Sequence, residues 1–360
     1  MRGADTAVVR EALASGDPLP GTAGFAGELD GTLVRDVLGR VPLFVESGVV
    51  DGRLPAWSHD PTDLTDPMSV PAGQVRDADG ARTVWILPDP EPFAERETAV
   101  ERVREAVEVS IDAVSPDGLA VAFSGGVDSA LVAARLDAPL YVAGFPESHD
   151  VAAARSAADL LERDLHVVEL THDAIEAAVP EIVAATGRTD AMSVQIALPL
   201  YLCAQRVAAD GFDRLALGQG ADELFGGYAK VEKAPEDPRL SADTVRGARR
   251  EVVGSLPEQL PRDVLALRAA GVDPVTPLLH DRVVAAALRL DDGMLVDGET
   301  RKWALRQAAL ASLPEAIATR DKKAAQYGSL AARELDRLAR QAGYKRRMDD
   351  HVTQYVESLV

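Results

Sequence analysis

A serine, two glycines and a second serine stand between an apolar run and an alanine-rich run in residues 119–129, LAVAFSGGVDS. Ser124 and Ser129 offer hydroxyl donors, and the glycines between them allow a ligand to approach the backbone closely. If the glycines join a strand to a helix, consecutive N–H groups and a helix N-terminus face one point, which attracts an anion such as phosphate. Asp128 is then placed to hold a Mg²⁺ that bridges phosphate oxygens.

The elements that must position these residues are a strand and a helix of a parallel sheet. Five uncharged apolar residues at 119–123 predict a buried strand, and a helix follows from Asp128. Further strands are predicted at 140–143, 166–170 and 214–217, and helices at 97–114, 150–163, 173–186 and 195–209, with Asp150 as an N-cap. This order predicts an α/β fold with a parallel twisted sheet flanked by helices, followed from Leu260 by a helical C-terminal part.

A second glycine-rich turn, GQGADELFGGY, occupies residues 218–228 directly after a predicted strand. Because parallel strands end at one edge of a sheet, Gly218 and Ser124 are expected together at that edge. Asp222 and Glu223 suit a metal-assisted pyrophosphate leaving group, with Asp128 as the other carboxylate. An acidic glycine turn alone is most often a solvated loop, so this prediction depends on the first turn.

The first 92 residues have a different character, because glycine and proline recur too often for long helices. They predict a small β-rich or α+β unit. A proline-rich linker at 88–92 then divides the chain into predicted domains at residues 1–92 and 95–360.

Composition limits the classes of partner. The chain has 360 residues, and its net charge of −20 argues against nucleic acid, which needs a basic face. This acid excess is typical of proteins adapted to high internal salt.

Cys203 is the only cysteine, which excludes an internal disulfide and a cysteine-based zinc site. No charged-then-apolar leader and no long apolar run occur, so we expect a cytoplasmic protein without membrane contact.

The hexapeptide SGGVDS after an apolar strand resembles the pyrophosphate (PP) loop of the ATP pyrophosphatases, which split ATP into AMP and pyrophosphate. The second turn is similar to the SGEGADE and FGGY run of the asparagine synthetase family. The resemblance covers residues 95–335 with specific motifs and 20–90 loosely, and it implies ATP and Mg²⁺ as cofactors. The ATP-binding residues it implies are Ala122, Ser124, Gly125, Gly126, Val127, Asp128, Ser129, Ala143, Gly144, Gly218 and Gly220, and the metal ligands are Asp128 and Asp222.

Catalytic positions follow from the same resemblance. Residues 302–306, KWALR, and the run LP to RDKK at 313–323 resemble the family's "KWxLR" and "LPxxIxxRxK" segments. In the family a lysine here contacts the α-phosphate of the acyl-adenylate, and matching by position favours Lys322, with Lys323 as second choice. Gln219 stands where the family has a glutamate that accepts a proton, a role that a neutral amide cannot fill.

The acceptor side also departs from the family pattern. The family's "ExRxPFLD" segment appears here as DPVTPLLH at 273–280, so its arginine is Val275 and its last aspartate is His280. These changes leave the ATP loop intact, so the resemblance predicts adenylation more firmly than it predicts the acid or the amine.

The N-terminal domain weakly resembles part of a glutaminase domain of the N-terminal-nucleophile (Ntn) type, through RD at 35–36, Gly39, PL at 42–43 and PAG at 71–73. That family uses an N-terminal cysteine, whereas position 2 here is Arg and no cysteine precedes Cys203. We therefore expect a truncated, degenerate domain that does not hydrolyse glutamine. It would serve as a packing or dimerisation module, which makes a homodimer one expected assembly.

The resemblance implies an ATP-dependent carbon–nitrogen ligase that adenylates a carboxylate, expected to be aspartate, releases AMP and pyrophosphate, and lets ammonia attack. The ammonia would be free or come from a separate glutaminase subunit. Two alternatives stay open. One is an amide or lactam synthetase for a different acid, and the other is a non-catalytic ATP-binding paralogue that acts through a partner chain.

Overall fold

The protein is described by a computed structural model over residues 1–48, 53–233, 242–320 and 328–360. These residues form two compact units, each made of three chain segments. One unit comprises Met1–Val114, Gly218–Pro261 and Thr276–Ala311, and is here called the first unit. The other, the second unit, comprises Ser115–Leu217, Arg262–Val275 and Ser312–Val360.

Short strands dominate the N-terminal part, and helices dominate the rest. The elements up to the first glycine-rich turn are α1 (Thr6–Ser15), β1 (Ala26–Leu29), β2 (Thr32–Arg35), β3 (Phe44–Glu46), β4 (Trp57–Ser58), β5 (Pro67–Ser69), β6 (Gln74–Asp77), β7 (Gly80–Thr83), α2 (Arg96–Asp112) and β8 (Leu119–Ala122). Those up to the second are α3 (Val127–Arg135), β9 (Leu140–Gly144), α4 (His149–Leu160), β10 (Leu165–Glu169), α5 (His172–Thr186), α6 (Ala191–Ala209) and β11 (Arg214–Ala216).

The remaining described elements surround and follow the second turn. They are α7 (Ala221–Phe225), α8 (Ala229–Glu232), α9 (Val245–Gly254), α10 (Leu256–Ala269), β12 (Asp273–Val275), α11 (Asp281–Leu288), α12 (Asp292–Leu295), β13 (Val296–Asp297), β14 (Thr300–Arg301), α13 (Trp303–Ala309), α14 (Glu315–Ala318) and two C-terminal helices, Ala331–Gln341 and His351–Ser358. A 3-10 turn, Pro277–Leu279, precedes α11.

The second unit is built on a five-stranded parallel sheet in the order β10-β9-β8-β11-β12. The central strand β8 carries Leu119, Ala120 and Val121, all buried. Val121 pairs with Ala216 in the register of β8 and β11, so these two strands end at the same edge of the sheet. Helices α5 and α6 supply much of its apolar core. The predicted α/β fold with a parallel sheet is confirmed.

In this unit one sequence expectation was wrong and one strand was missed. Helix α4 is capped by Ser148, whose side chain accepts from Val151 N, so Asp150 lies in the first turn and is not the N-cap. The fifth strand, β12, was not predicted because it is short and contains Pro274. Proline lacks an N–H and is confined in sheets to edges, which is where β12 lies.

The first unit combines the N-terminal strands with helices from later in the chain. Its strands form an antiparallel sheet in the order β1-β2-β6-β7 and a three-stranded sheet in the order β4-β3-β5. Helix α2 packs against α11 and α13, and its buried residues include Val103, Val107 and Ile111. The predicted α+β character of the N-terminal part is confirmed. The predicted boundary between a domain at residues 1–92 and one at residues 95–360 stays a prediction.

No helix in the described part of the chain is long and apolar enough to cross a lipid bilayer. Cys203 is buried within α6, and burial raises the pKa of its thiol to about 12.

Candidate functional site

The first glycine turn joins the central strand of the parallel sheet to α3. Gly126 is the N-cap of α3, so no side chain caps the start of this helix. The first N–H groups of an α-helix have no partner within the helix and can bind an anion. Gly125 has φ +72°, and a Cβ there would lie 2.4 Å from the Ala153 carbonyl oxygen. Only glycine fits both the backbone conformation and this close approach to α4. The turn therefore has the geometry of a helix N-terminal anion site.

The two serines of the turn hold it in shape. Ser124 N donates to Ser129 Oγ over 3.2 Å, and Ser129 Oγ donates to the Gly126 carbonyl oxygen over 3.2 Å. The two hydroxyl oxygens are 3.3 Å apart. Ser129 thus spans the turn and the first turn of α3, and its hydroxyl helps to fix the backbone that would meet a phosphate.

Arg320 braces the same turn against α4, a contact that the sequence analysis missed. Its Nη1 donates to the Ala153 carbonyl oxygen over 2.8 Å and approaches that of Gly125 at 3.5 Å, and its Nη2 donates to Ser156 Oγ over 3.1 Å. The only sequence signal was its place just before the two candidate lysines. Lys322 and Lys323 lie outside the described residues.

The other predicted nucleotide residues of this unit lie on the sheet near the turn. Ala122 pairs with Tyr141 across β8 and β9, and β9 ends at Ala143 and Gly144. A Cβ on Gly144 would lie 2.5 Å from Ser148 Oγ, so this glycine lets β9 run closely past the N-cap of α4. The structure thus brings residues 122–129 and 143–144 to the carboxyl edge of adjacent strands.

The second glycine turn, in the first unit, opens helix α7. Its N-cap is Gly220, which has φ +95°, and a Cβ there would lie 2.4 Å from Leu279 Cδ2. Gly226 ends the helix with φ +75°. As at the first turn, glycine is required by conformation and by a close neighbour.

Lys302 reaches into the second turn from the start of α13. Its side chain is 7% exposed, and Nζ lies 2.6 Å from Asp222 Oδ1. A Cβ on Gly227 would lie 2.4 Å from Lys302 Cε, so the lysine passes directly over that glycine. Lys302 also has φ +57°, a conformation that L-residues other than Gly, Asn and Asp rarely adopt. The sequence places Lys302 in the KWALR motif but does not predict its contact with Asp222.

Glu223, the neighbour of Asp222, is buried and accepts a hydrogen bond from the Tyr228 hydroxyl over 2.6 Å. Burial raises the pKa of Glu223, and the charge of Asp222 acts in the same direction, whereas Tyr228 and Lys302 oppose them. The turn therefore holds two carboxylates in different environments, one ion-paired and partly exposed, the other buried.

Asp128 and Asp222, the two carboxylates predicted as magnesium ligands, each lie at the start of a helix. Asp128 is 2% exposed in the first turn of α3, and the Asp222 side chain is 40% exposed beside Lys302. No group of three histidine, cysteine or acidic residues suited to a metal occurs among the described residues. Magnesium in nucleotide sites is held by one or two carboxylates together with phosphate oxygens and water, so each of these side chains is of a type that fits it.

Comparison with known proteins gives a consistent result. The family model described as Asparagine synthase matches residues 100–268 and 246–357, well over half of the chain. A putative glutamine-hydrolyzing asparagine synthetase of Methanocaldococcus jannaschii is 28% identical over 281 residues, 68% of this chain and 52% of that protein. Asparagine synthetase B of Escherichia coli is 27% identical over 249 residues, 63% of this chain and 44% of that protein. The chain spans about half the length of the curated relatives it matches.

Proposed function

Because the chain belongs to the asparagine synthase family, we propose that it is an ATP-dependent carbon–nitrogen ligase that adenylates a carboxylic acid and transfers the acyl group to ammonia. The products of ATP would be AMP and pyrophosphate. The proposed acid is aspartate, as the names of the relatives suggest.

The observation that carries this proposal is the first glycine turn. It lies at the carboxyl end of the central strand of a parallel sheet, with Gly125 packed against α4 and glycine at the N-cap of α3. Ligands of open α/β sheets bind at this edge. On sequence grounds we also propose that Gly218 and Gly220 contact the nucleotide and that Asp222 contacts the pyrophosphate.

In the proposed reaction a carboxylate oxygen of the acid attacks the α-phosphorus, and the bond from that phosphorus to the bridging α–β oxygen breaks. Pyrophosphate leaves, and an acyl-adenylate remains. Ammonia then attacks the acyl carbon, AMP departs with the former carboxylate oxygen, and the nitrogen loses a proton. Asp128 and Asp222 are proposed on sequence grounds as the residues that would hold Mg²⁺, whose charge would favour departure of pyrophosphate.

The chain's own residues would position the reacting groups. N–H groups of residues 125–128 would bind the pyrophosphate moiety, and Arg320 would keep that backbone in place. Lys302 would orient the Asp222 carboxylate. A lysine from 322–323 is proposed on sequence grounds to face the α-phosphate. Gln219 would line the acceptor site without serving as a base.

A second candidate is a synthetase for a different acid, which the departures at Gln219, Val275 and His280 favour. In either case the proposed source of nitrogen is free ammonia or ammonia supplied by a separate glutaminase chain.

The test is a pyrophosphate-release assay with ATP and Mg²⁺, in which aspartate and ammonium are each added or omitted and AMP and ADP are measured. Release that requires aspartate and yields AMP supports the main proposal. Release only with other acids supports the second candidate, and ATP binding without turnover indicates a non-catalytic paralogue. Accumulation of ADP contradicts the proposal.

An Asp128→Ala variant should lose turnover by at least about 100-fold while remaining folded, because the buried carboxylate beside the phosphate turn is removed. The matched control is Asp137→Ala, at an exposed position after α3 in the same unit, which should keep full turnover. Equal activity of the two variants would show that the metal site is misplaced.

A further inference from the structure

Three charged side chains form a buried cluster in the first unit. Asp36, Arg40 and Asp281 have side chains that are 0%, 2% and 1% exposed. Arg40 Nε lies 2.8 Å from Asp36 Oδ1, and Arg40 Nη1 lies 2.7 Å from Asp281 Oδ1. The cluster joins the segment after β2 to the start of α11, more than 230 residues later in the sequence.

Backbone groups satisfy the two carboxylates further. Asp36 accepts from the N–H groups of Leu38 and Arg40, and Asp281 accepts from the N–H and hydroxyl of Thr22. Burial alone would lower the pKa of Arg40, but Asp36 and Asp281 together raise it. A buried charge is tolerated when it is paired and hydrogen-bonded in this way, and each partner then depends on the others.

The cluster also holds the backbone of the 3-10 turn. Arg40 Nη1 donates to the Leu279 carbonyl oxygen over 2.7 Å. The Leu279 side chain in turn lies against Gly220, where a Cβ would come within 2.4 Å of Leu279 Cδ2. An unbroken series of contacts therefore runs from Arg40 through Leu279 to the N-cap of α7.

We propose that Arg40 is a positioning residue, which sets the place of the second glycine turn by fixing Leu279 against Gly220. The N-terminal segment would thus serve the synthetase reaction by holding the acceptor-side backbone, without chemistry of its own. The catalytic consequence rests on the function proposed above, whereas the positioning itself can be measured without turnover.

Arg35 provides a matched control, because it is equally buried but contacts different groups. Its guanidinium donates to the carbonyl oxygens of Val41, Val70 and Gly39 and to Ser69 Oγ, and none of these belongs to residues 276–281. Arg35→Lys and Arg40→Lys should lower the free energy of unfolding by similar amounts. Only Arg40→Lys should also loosen the backbone of the second turn.

The experiment is hydrogen exchange of the full chain at a temperature where every variant is folded. The reporting amides are Leu224 N, which donates to the Gly220 carbonyl oxygen, and Gly227 N, which donates to that of Asp222. Arg40→Lys should exchange roughly 10-fold faster at both amides, the size of coupling typical of contacting networks. Arg35→Lys should leave both rates unchanged. Equal rates in the two variants would overturn the proposal.

If Arg40→Lys does not fold, Leu279→Val is measured in its place. This substitution shortens the side chain that contacts Gly220 and leaves the charged cluster of Asp36, Arg40 and Asp281 unchanged. Unchanged exchange at Leu224 in that variant also overturns the proposal. Pyrophosphate release is measured in parallel, and turnover in Arg40→Lys should fall while that of Arg35→Lys stays constant. If the unmodified protein releases no pyrophosphate, the proposed function fails, but the exchange data still decide the positioning role.

Discussion

Lys302 Nζ lies 2.6 Å from Asp222 Oδ1, and the lysine that makes this contact has a left-handed backbone at φ +57°. Strain of this kind costs roughly 1–3 kcal/mol and persists where the surroundings fix it, often at functional sites. Here the surroundings are Gly227, over which the side chain passes, and the start of α13. The conformation brings a buried cation to the acidic end of the second turn.

Replacing Lys302 by methionine should lower pyrophosphate release by about 10- to 100-fold, because Asp222 loses the charge that orients it. Turnover and the melting temperature are measured together. The control is Lys233→Met, an exposed lysine of the same unit, which should keep its activity. Unchanged turnover in Lys302→Met would remove Lys302 from the site.

Gly125→Ala tests the packing of the first turn. An alanine at φ +72° costs roughly 1–2 kcal/mol, and overpacking against the Ala153 carbonyl adds about 1–3 kcal/mol. Gly187→Ala is the matched control, since Gly187 has φ +66° in the same unit and no atom within 4 Å of an added Cβ. Urea unfolding should therefore show a clearly larger loss for Gly125→Ala. Equal losses would mean that the turn does not press on α4.

Arg320→Met tests the brace between the first turn and α4. Without its bonds to Ala153 and Ser156 the turn should be held less firmly, and ATP affinity should fall about 10-fold. The affinity is measured by calorimetry with the full chain. Arg155→Met, on the exposed face of α4, is the comparison and should bind ATP normally. A variant of Arg320 with unchanged affinity contradicts the assigned role.

His280 gives a prediction about pH. Its Nδ1 accepts from Arg282 N as the cap of α11, and burial together with the charge of Arg282 lowers its pKa below the ordinary 6.5, although Asp281 opposes this. The unfolded chain then binds more protons than the folded one as pH falls below 6.5. Acid should therefore reduce the free energy of unfolding through this residue.

The measurement is urea unfolding of the unmodified protein and of His280→Asn at pH 7.5 and pH 5.5. Asparagine also caps helices but does not titrate, so the variant should lose less stability between the two pH values. An equal loss in both proteins would show that His280 does not contribute.

The sequence was sufficient to predict the strands, turns and helices that depend on residues close together in the chain. The strand, glycine turn and helix at 119–135 follow from an apolar run and two glycines, and they are present as expected. The sequence predicts Asp150 as the N-cap of α4, whereas the N-cap in the structure is Ser148. Serine and aspartate both cap helices, and the two residues are only two positions apart. Local pattern alone does not choose between them.

Long-range partners were beyond the reach of the sequence. Lys302 meets Asp222 eighty positions earlier, and Arg320 meets the carbonyl of Ala153. Such contacts depend on the tertiary fold, which brings together residues far apart in sequence. Lys302 and Arg320 are also of the same residue types as ordinary surface cations. Membership of the family was predicted, because the two glycine motifs are distinctive, and it is confirmed.

The pairing of Arg40 with Asp281 also bears on how this chain can be divided. A fragment that starts after the N-terminal strands would keep Asp281 within its helix start but lose the arginine that neutralises it. The carboxylate, which is 1% exposed beside Arg40, would then be a buried charge without its partner, so residues 95–360 made alone should misassemble or aggregate.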